Sequence, residues 1–92
     1  MRNLERAHIV FTGNVHGVGF RFTAKDIAAR LGVTGFVKNL PNGSVEVICE
    51  GTRDRITTFL GDINDRMSGY ITDYKLEKDP AAGEFSSFDI MF

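Results

Sequence analysis

Two stretches of this chain carry apolar residues at helical spacing, and each has only one apolar side. Phe20, Ala24, Ile27, Ala28 and Leu31 fall at i, i+4, i+7, i+8 and i+11, with Lys25, Asp26 and Arg30 opposite them. Ile56, Phe59, Leu60, Ile63 and Met67 repeat the stripe at i, i+3, i+4, i+7 and i+11. A helix with one apolar stripe has one surface to bury, and the segments around these two alternate with the period of strands. Residues 7–12 set Ile9 and Phe11 against His8, Val10 and Thr12, which makes His8 a sheet-face side chain rather than a ligand. Residues 44–50 set Val45, Val47 and Cys49 against Glu46, Ile48 and Glu50. Residues 35–39 form a short strand joined to that one by Leu40-Pro41-Asn42-Gly43, whose Pro and Asn-Gly signals predict a tight hairpin. A fourth strand is expected over residues 71–78, with Thr72, Tyr74 and Leu76 on one face, and a loop over 79–84. Phe88, Ile90 and Phe92 then alternate with Asp89 and Met91 in a closing strand.

The order is β-α-β-β-α-β plus a terminal strand. It predicts an α+β fold of the ferredoxin-like type, a sandwich with two helices on one face of a mainly antiparallel sheet. Right-handed crossovers are expected to bring the first and third strands, parallel to each other, to its centre. Gly32 is placed to stop the first helix, and Thr52 to cap the second. Gly61 lies inside the second stripe and weakens it by about 1 kcal/mol relative to alanine, which predicts fraying or an early end.

Ninety-two residues, 1–92, are enough for a single domain and one core. The net charge of −1 gives no general attraction to nucleic acid or anionic membrane, so any positive site must be local. One cysteine, Cys49, excludes an internal disulfide and suits a reducing compartment, and its parity makes it a small core residue. Met1 to Arg6 is polar, without a signal-peptide core, and no apolar run approaches the roughly 20 residues of a membrane span. The expectation is a cytoplasmic protein. Nothing in the sequence specifies an oligomeric state.

Between the first strand and the first helix lies Gly13-Asn14-Val15-His16-Gly17-Val18-Gly19-Phe20-Arg21. Glycines let the backbone fold tightly and bring N–H groups close to a ligand, and a helix start adds unpaired donors and the positive end of the dipole. Arg21 adds a permanent charge and a planar fork of donors, so the segment has the makings of a phosphate or carboxylate site. The same residues also suit a plain strand-to-helix connection with a surface arginine. The glycines at 13, 17 and 19 satisfy neither the dinucleotide nor the Walker pattern. Two separated histidines and one cysteine make no metal-ligand cluster. RNA-recognition modules share the element order, but they stack bases on third-strand aromatics, and residues 45–49 have none. Asn39, at the end of the second strand, is either a turn former or, if the sheet brings it beside the loop, an amide able to orient a water.

At these two motifs the chain resembles the acylphosphatase family. Members carry a Gly-x-Val-Gln-Gly-Val-x-Phe-Arg loop, matched by residues 13–21 except at His16. They also carry Gly-aromatic-x-x-Asn, three residues, Gly-x-Val, five residues, Gly, matched by Gly35, Phe36, Asn39, Gly43, Val45 and Gly51. Gly83-Glu84-Phe85 and Phe88-x-Ile90 resemble the family's C-terminal strand, which the resemblance places beside the second one. It implies hydrolysis of small acyl phosphates to a carboxylate and inorganic phosphate, with no metal and no cofactor. By similarity, Arg21 and the backbone amides of Val15, His16, Gly17, Val18, Gly19 and Phe20 hold the phosphoryl group, and Asn39 positions the attacking water. The competing reading is an anion-binding module without turnover, against which intact Arg21 and Asn39 argue. Three positions depart from the family: His16 for glutamine, Phe11 for an aliphatic residue, and Met91 where a basic residue is common. If the family's glutamine side chain braces the loop, His16 would give activity a titration at about pH 6–7.

Overall fold

The computed structural model describes residues 4–92, so Met1 to Asn3 of the polar N-terminal stretch lie outside the described residues. Five strands and two helices follow in the order β1 (Leu4–Gly13), α1 (Phe20–Leu31), β2 (Thr34–Asn39), β3 (Val45–Thr52), α2 (Arg53–Arg66), β4 (Ile71–Pro80) and β5 (Phe88–Met91). The strands form one sheet in the order β4-β1-β3-β2-β5, antiparallel except for the β2–β5 pair. This is the ferredoxin-like arrangement with an added edge strand, and the terminal strand does lie beside the second.

The first and third strands hold the centre, but they are antiparallel, with Phe11 opposite Val45 and Leu4 opposite Thr52. The expectation of parallel neighbours was wrong for a simple reason. Each crossover makes its own pair of strands parallel, β1 with β2 and β3 with β4. The hairpin between β2 and β3 reverses direction, so β3 runs against β1. At that hairpin, Leu40 N–H donates to Ser44 O at 2.9 Å and Gly43 N–H to Leu40 O at 3.1 Å.

One face of the sheet packs on the helices. Ala7, Ile9, Phe11, Val37, Val45, Val47 and Cys49 meet Phe20, Ala24, Ile27 and Ala28 of α1 and Ile56, Phe59 and Ile63 of α2 in a single buried cluster. Phe11 fills its place against Phe20, with ring centroids 5.0 Å apart. Burial pushes the Cys49 thiol up to about 12, against a smaller lowering by its Ala7 backbone hydrogen bond, which keeps it protonated.

Helix boundaries follow their capping residues. Gly32 ends α1 in the left-handed conformation, its N–H donating to Ala28 O, and Thr52 Oγ1 accepts from Arg55 N–H at 3.3 Å. Gly61 does not shorten α2, which continues to Arg66. Ile56, Phe59, Ile63 and Met67 are buried on either side of it, and tertiary packing outweighs the propensity cost. Strand β4 is two residues longer than expected, because Asp79 and Pro80 pair with Arg6 and Glu5. Proline is tolerated there, at the end of an edge strand. Among the described residues, no helix is long and apolar enough to cross a membrane.

The connection from β4 to β5 must pass from one edge of the sheet to the other. It is fastened midway by Glu50, a residue of the polar parity that is nonetheless only 4 % exposed. Its carboxylate accepts from Ala82 N–H at 2.8 Å, Gly83 N–H at 3.1 Å and Arg6 Nε at 3.1 Å. Arg6 also reaches Glu84 and lies over the Phe85 ring, which meets Phe36 edge-on. Burial works to raise the Glu50 carboxyl, but the Ala82 N–H, the Arg6 guanidinium and the Gly83 N–H together hold it below the ordinary range.

Candidate active site

Strand directions bring the signalled residues together. β1, β2 and β5 run the same way, so the segment after Gly13, Asn39 at the end of β2, and Phe92 after β5 all reach one end of the sheet. Met91 pairs with Lys38, which sets Phe92 level with Asn39. The N-terminus of α1 opens onto the same end.

The loop is tied down at its start. Asn14 N–H donates to Tyr70 O at 2.8 Å, and a Cβ at Gly13 would collide with that carbonyl oxygen. Val15 then plunges into the core, 1 % exposed, and Val18 packs against it. Gly17 and Gly19 have φ of 72° and 80°, and a side chain at either position would be strained. The loop thus takes two left-handed steps before the helix begins.

A cavity of about 210 Å³ lies under this loop, lined by Val15, Gly17, Gly19, Phe20, Arg21, Phe22 and Asn39. The two residues singled out for chemistry, Arg21 and Asn39, share it although they come from different elements. Asn39 Oδ1 is buried and has no hydrogen-bond partner within the protein. Helix α1 begins at Gly19 with no side-chain cap and no acidic residue in its first turn. Its first-turn N–H groups and positive dipole end are therefore uncompensated on the cavity side. Helix α2 shows the ordinary alternative, with Thr52 as cap and Asp54 in the first turn.

His16 and Val18 do not line the cavity. His16 Nε2 instead lies 2.7 Å from Ser44 O. A carbonyl only accepts, so His16 carries its hydrogen on Nε2 and braces the loop against the hairpin that follows Asn39. Both neutral imidazole with that tautomer and imidazolium can donate this bond. His8 is a sheet-face residue as expected, 2.9 Å from Glu46 Oε2. Among the described residues, no group of three or more His, Cys, Asp or Glu side chains is placed to hold a metal.

Two aromatic residues at the site escaped sequence reasoning. Phe22 lines the cavity, and its signal was available: it is an apolar residue off the buried stripe in the first turn of α1. Phe92 lies over the Arg21 guanidinium, with Cζ 5.0 Å from the ring centroid, a long-range contact that only the β2–β5 register reveals.

The chain is similar to known proteins over most of its length. The acylphosphatase family model matches residues 7–90. An acylphosphatase of Syntrophobacter fumaroxidans is 36% identical over 92 aligned positions, covering 95% of this chain and 91% of its own length. One of Nostoc is 57% identical over 51 residues, 55% of this chain, so that match spans only half, 50%, of the relative. The crystal structure of an acylphosphatase from Bacillus subtilis superimposes with a TM-score of 0.88 at 25% identity, covering 96% of this chain and 99% of that one. With the family model matched over residues 7–90 and a relative at 36% identity covered over 91% of its length, this chain belongs to the acylphosphatase family.

Proposed function

We propose that the protein hydrolyses the carboxyl-phosphate bond of small acyl phosphates, releasing a carboxylate and inorganic phosphate. The observation that carries this reading is the convergence of Arg21, Asn39 and the uncapped start of α1 on one cavity. Arg21 and the backbone amides of the cavity-lining loop residues Val15, Gly17, Gly19 and Phe20 hold the phosphoryl oxygens, supplying fixed positive charge where negative charge is spread in the transition state. Asn39 Oδ1 accepts a hydrogen from the attacking water and aims its lone pair at phosphorus.

As the water–phosphorus bond forms in line, the bond from phosphorus to the acyl oxygen breaks, and its electron pair leaves on the carboxylate. The water's proton passes to a phosphoryl oxygen. A leaving carboxylate has a pKa of about 4, so no general acid is needed, and positioning with charge stabilisation suffices. His16 acts at one remove, by holding the loop to the hairpin.

We take residues 1–92 to work as one unit on free acyl phosphates rather than on nucleic acid, since β3 offers no aromatic base platform. A cytoplasmic location fits the single buried thiol.

The test is hydrolysis of benzoyl phosphate. Arg21→Ala and Asn39→Ala should each lower kcat/KM roughly 10²-fold or more, with melting temperatures little changed. If the wild-type protein releases no benzoate above buffer, the enzymatic reading fails. His16→Gln replaces one donor by another, and its pH–rate profile should coincide with that of the wild type. A profile of different shape would show instead that the side chain at position 16 acts on the site.

A further inference from the structure

The cradle has an apolar rim that phosphate binding does not require. Phe22 is 67 % exposed while lining the cavity beside Arg21, and Phe92 is 91 % exposed while lying over the same guanidinium. Met91, 47 % exposed, precedes Phe92. Single exposed apolar residues are ordinary, but two phenylalanines flanking one catalytic-site arginine form a local surface with a purpose to explain.

Size and charge together indicate what that surface would meet. At about 210 Å³ the cavity is smaller than the roughly 300–1,000 Å³ of sites that engulf a small molecule. It suits the phosphoryl end of a substrate and leaves the acyl group outside, against whatever stands at the mouth. Arg21 is the one cation among the residues lining it, and the proposed function commits its charge to the phosphoryl oxygens. Lys38 belongs to the other face of the sheet from buried Val37 and Asn39, pairing in register with Glu46. An acyl group bearing a second carboxylate therefore finds no second cation in the cavity lining, whereas a flat apolar one finds two aromatic rings.

We propose that Phe22 and Phe92 form an acyl subsite and make the protein selective for acyl phosphates with an uncharged aromatic or bulky apolar acyl group. The proposal rests on the hydrolase reading above. Phe22 supplies a fixed wall, because its backbone is in the first turn of α1. Phe92 supplies a second wall whose ring is already held by Arg21, so little ordering is needed when the acyl group arrives.

The experiment compares kcat/KM for benzoyl phosphate and acetyl phosphate in the wild type, Phe22→Ala, Phe92→Ala and Phe92→Tyr. The intrinsic reactivity of the two anhydrides cancels when each variant's benzoyl-to-acetyl ratio is divided by that of the wild type. That quotient should fall about threefold to tenfold in each alanine variant, as an aromatic contact of ordinary strength implies, and Phe92→Tyr should restore it. Both side chains are exposed, so the fold should survive, which melting curves verify. Quotients near one in both alanine variants overturn the subsite, and a parallel loss on both substrates in Phe92→Ala would assign that ring to holding Arg21 instead. A wild type that hydrolyses neither substrate sinks the functional reading and this proposal together. A wild type active on both, with quotients unmoved, sinks this proposal alone.

Discussion

The two ends of the sheet are built from the same ingredients and put to different ends. At one, Arg6 and the successive N–H groups of Ala82 and Gly83 surround an anion that the chain supplies itself, the Glu50 carboxylate. At the other, Arg21, a loop of amides and the start of α1 surround a cavity whose lining contains no carboxylate. Glu50 pairs across the sheet with Thr34, and Asn39 with Val45, so roughly 17 Å of strand separates the arrangements. A guanidinium beside backbone amides can cradle an anion, which is the role proposed above for the second arrangement. On that proposal, the presence or absence of an internal anion is what distinguishes the clasp from the site.

The comparison breaks most sharply if the open cradle is given its own anion. Gly19→Asp would place a carboxylate at the uncapped helix start, at a strain cost of roughly 1–2 kcal/mol for its left-handed backbone. Acyl phosphate hydrolysis should fall about 10²-fold, and clearly more than in Gly19→Asn, which carries the same strain without the charge. Equal losses in the two variants would show that charge at this point is irrelevant.

Removing the anion from the closed clasp is the reciprocal change. Glu50→Ala removes the acceptor shared by Arg6, Ala82 N–H and Gly83 N–H and should cost about 1–2 kcal/mol of stability at about pH 7. The sign of its pH dependence follows from the lowered Glu50 carboxyl. That contribution is fully present above the ordinary carboxylate value of 4.5 and is lost as pH falls through the lower folded value. Denaturant unfolding at about pH 7 and about pH 3 should therefore show the gap between wild type and variant narrowing in acid. A gap that stays constant would mean that the carboxylate is not the clasp.

Helix starts offer the smaller tests. Thr52→Ala opens the closed end of α2 and should cost about 1 kcal/mol, or roughly 4–8 °C in Tm, without the loss of activity expected at Gly19. Gly61 is exposed, with nothing near the position of an added Cβ, so Gly61→Ala should stabilise by roughly 0.5–1 kcal/mol.

Features carried by local pattern were legible beforehand. The two helical stripes, the hairpin signal and the Gly13–Arg21 segment each span a few residues, and the structure places them where their periodicity said. Spacing left open whether Asn39 lies beside the loop, and its place there follows from β1 and β2 running the same way. Long-range pairing was not legible. Alternation set Glu50 opposite the apolar parity and gave no sign of its burial, because its partners Arg6, Ala82 and Gly83 lie 44, 32 and 33 residues away. The same limit hid Phe92 above Arg21, which depends on the register of a four-residue strand. The direction of β3 was a different failure, since the hairpin that reverses it was already evident in Pro41, Asn42 and Gly43.

The most direct test of an open cradle at one end and a filled one at the other is a titration with inorganic phosphate, followed residue by residue through backbone amide resonances. The amides of residues 15–20 should shift saturably, Arg21→Ala should abolish that saturation, and the amides of Ala82 and Gly83 should barely move. Absence of saturable shifts in the loop, or shifts that Arg21→Ala leaves intact, would contradict the assignment of this end of the sheet as the anion site.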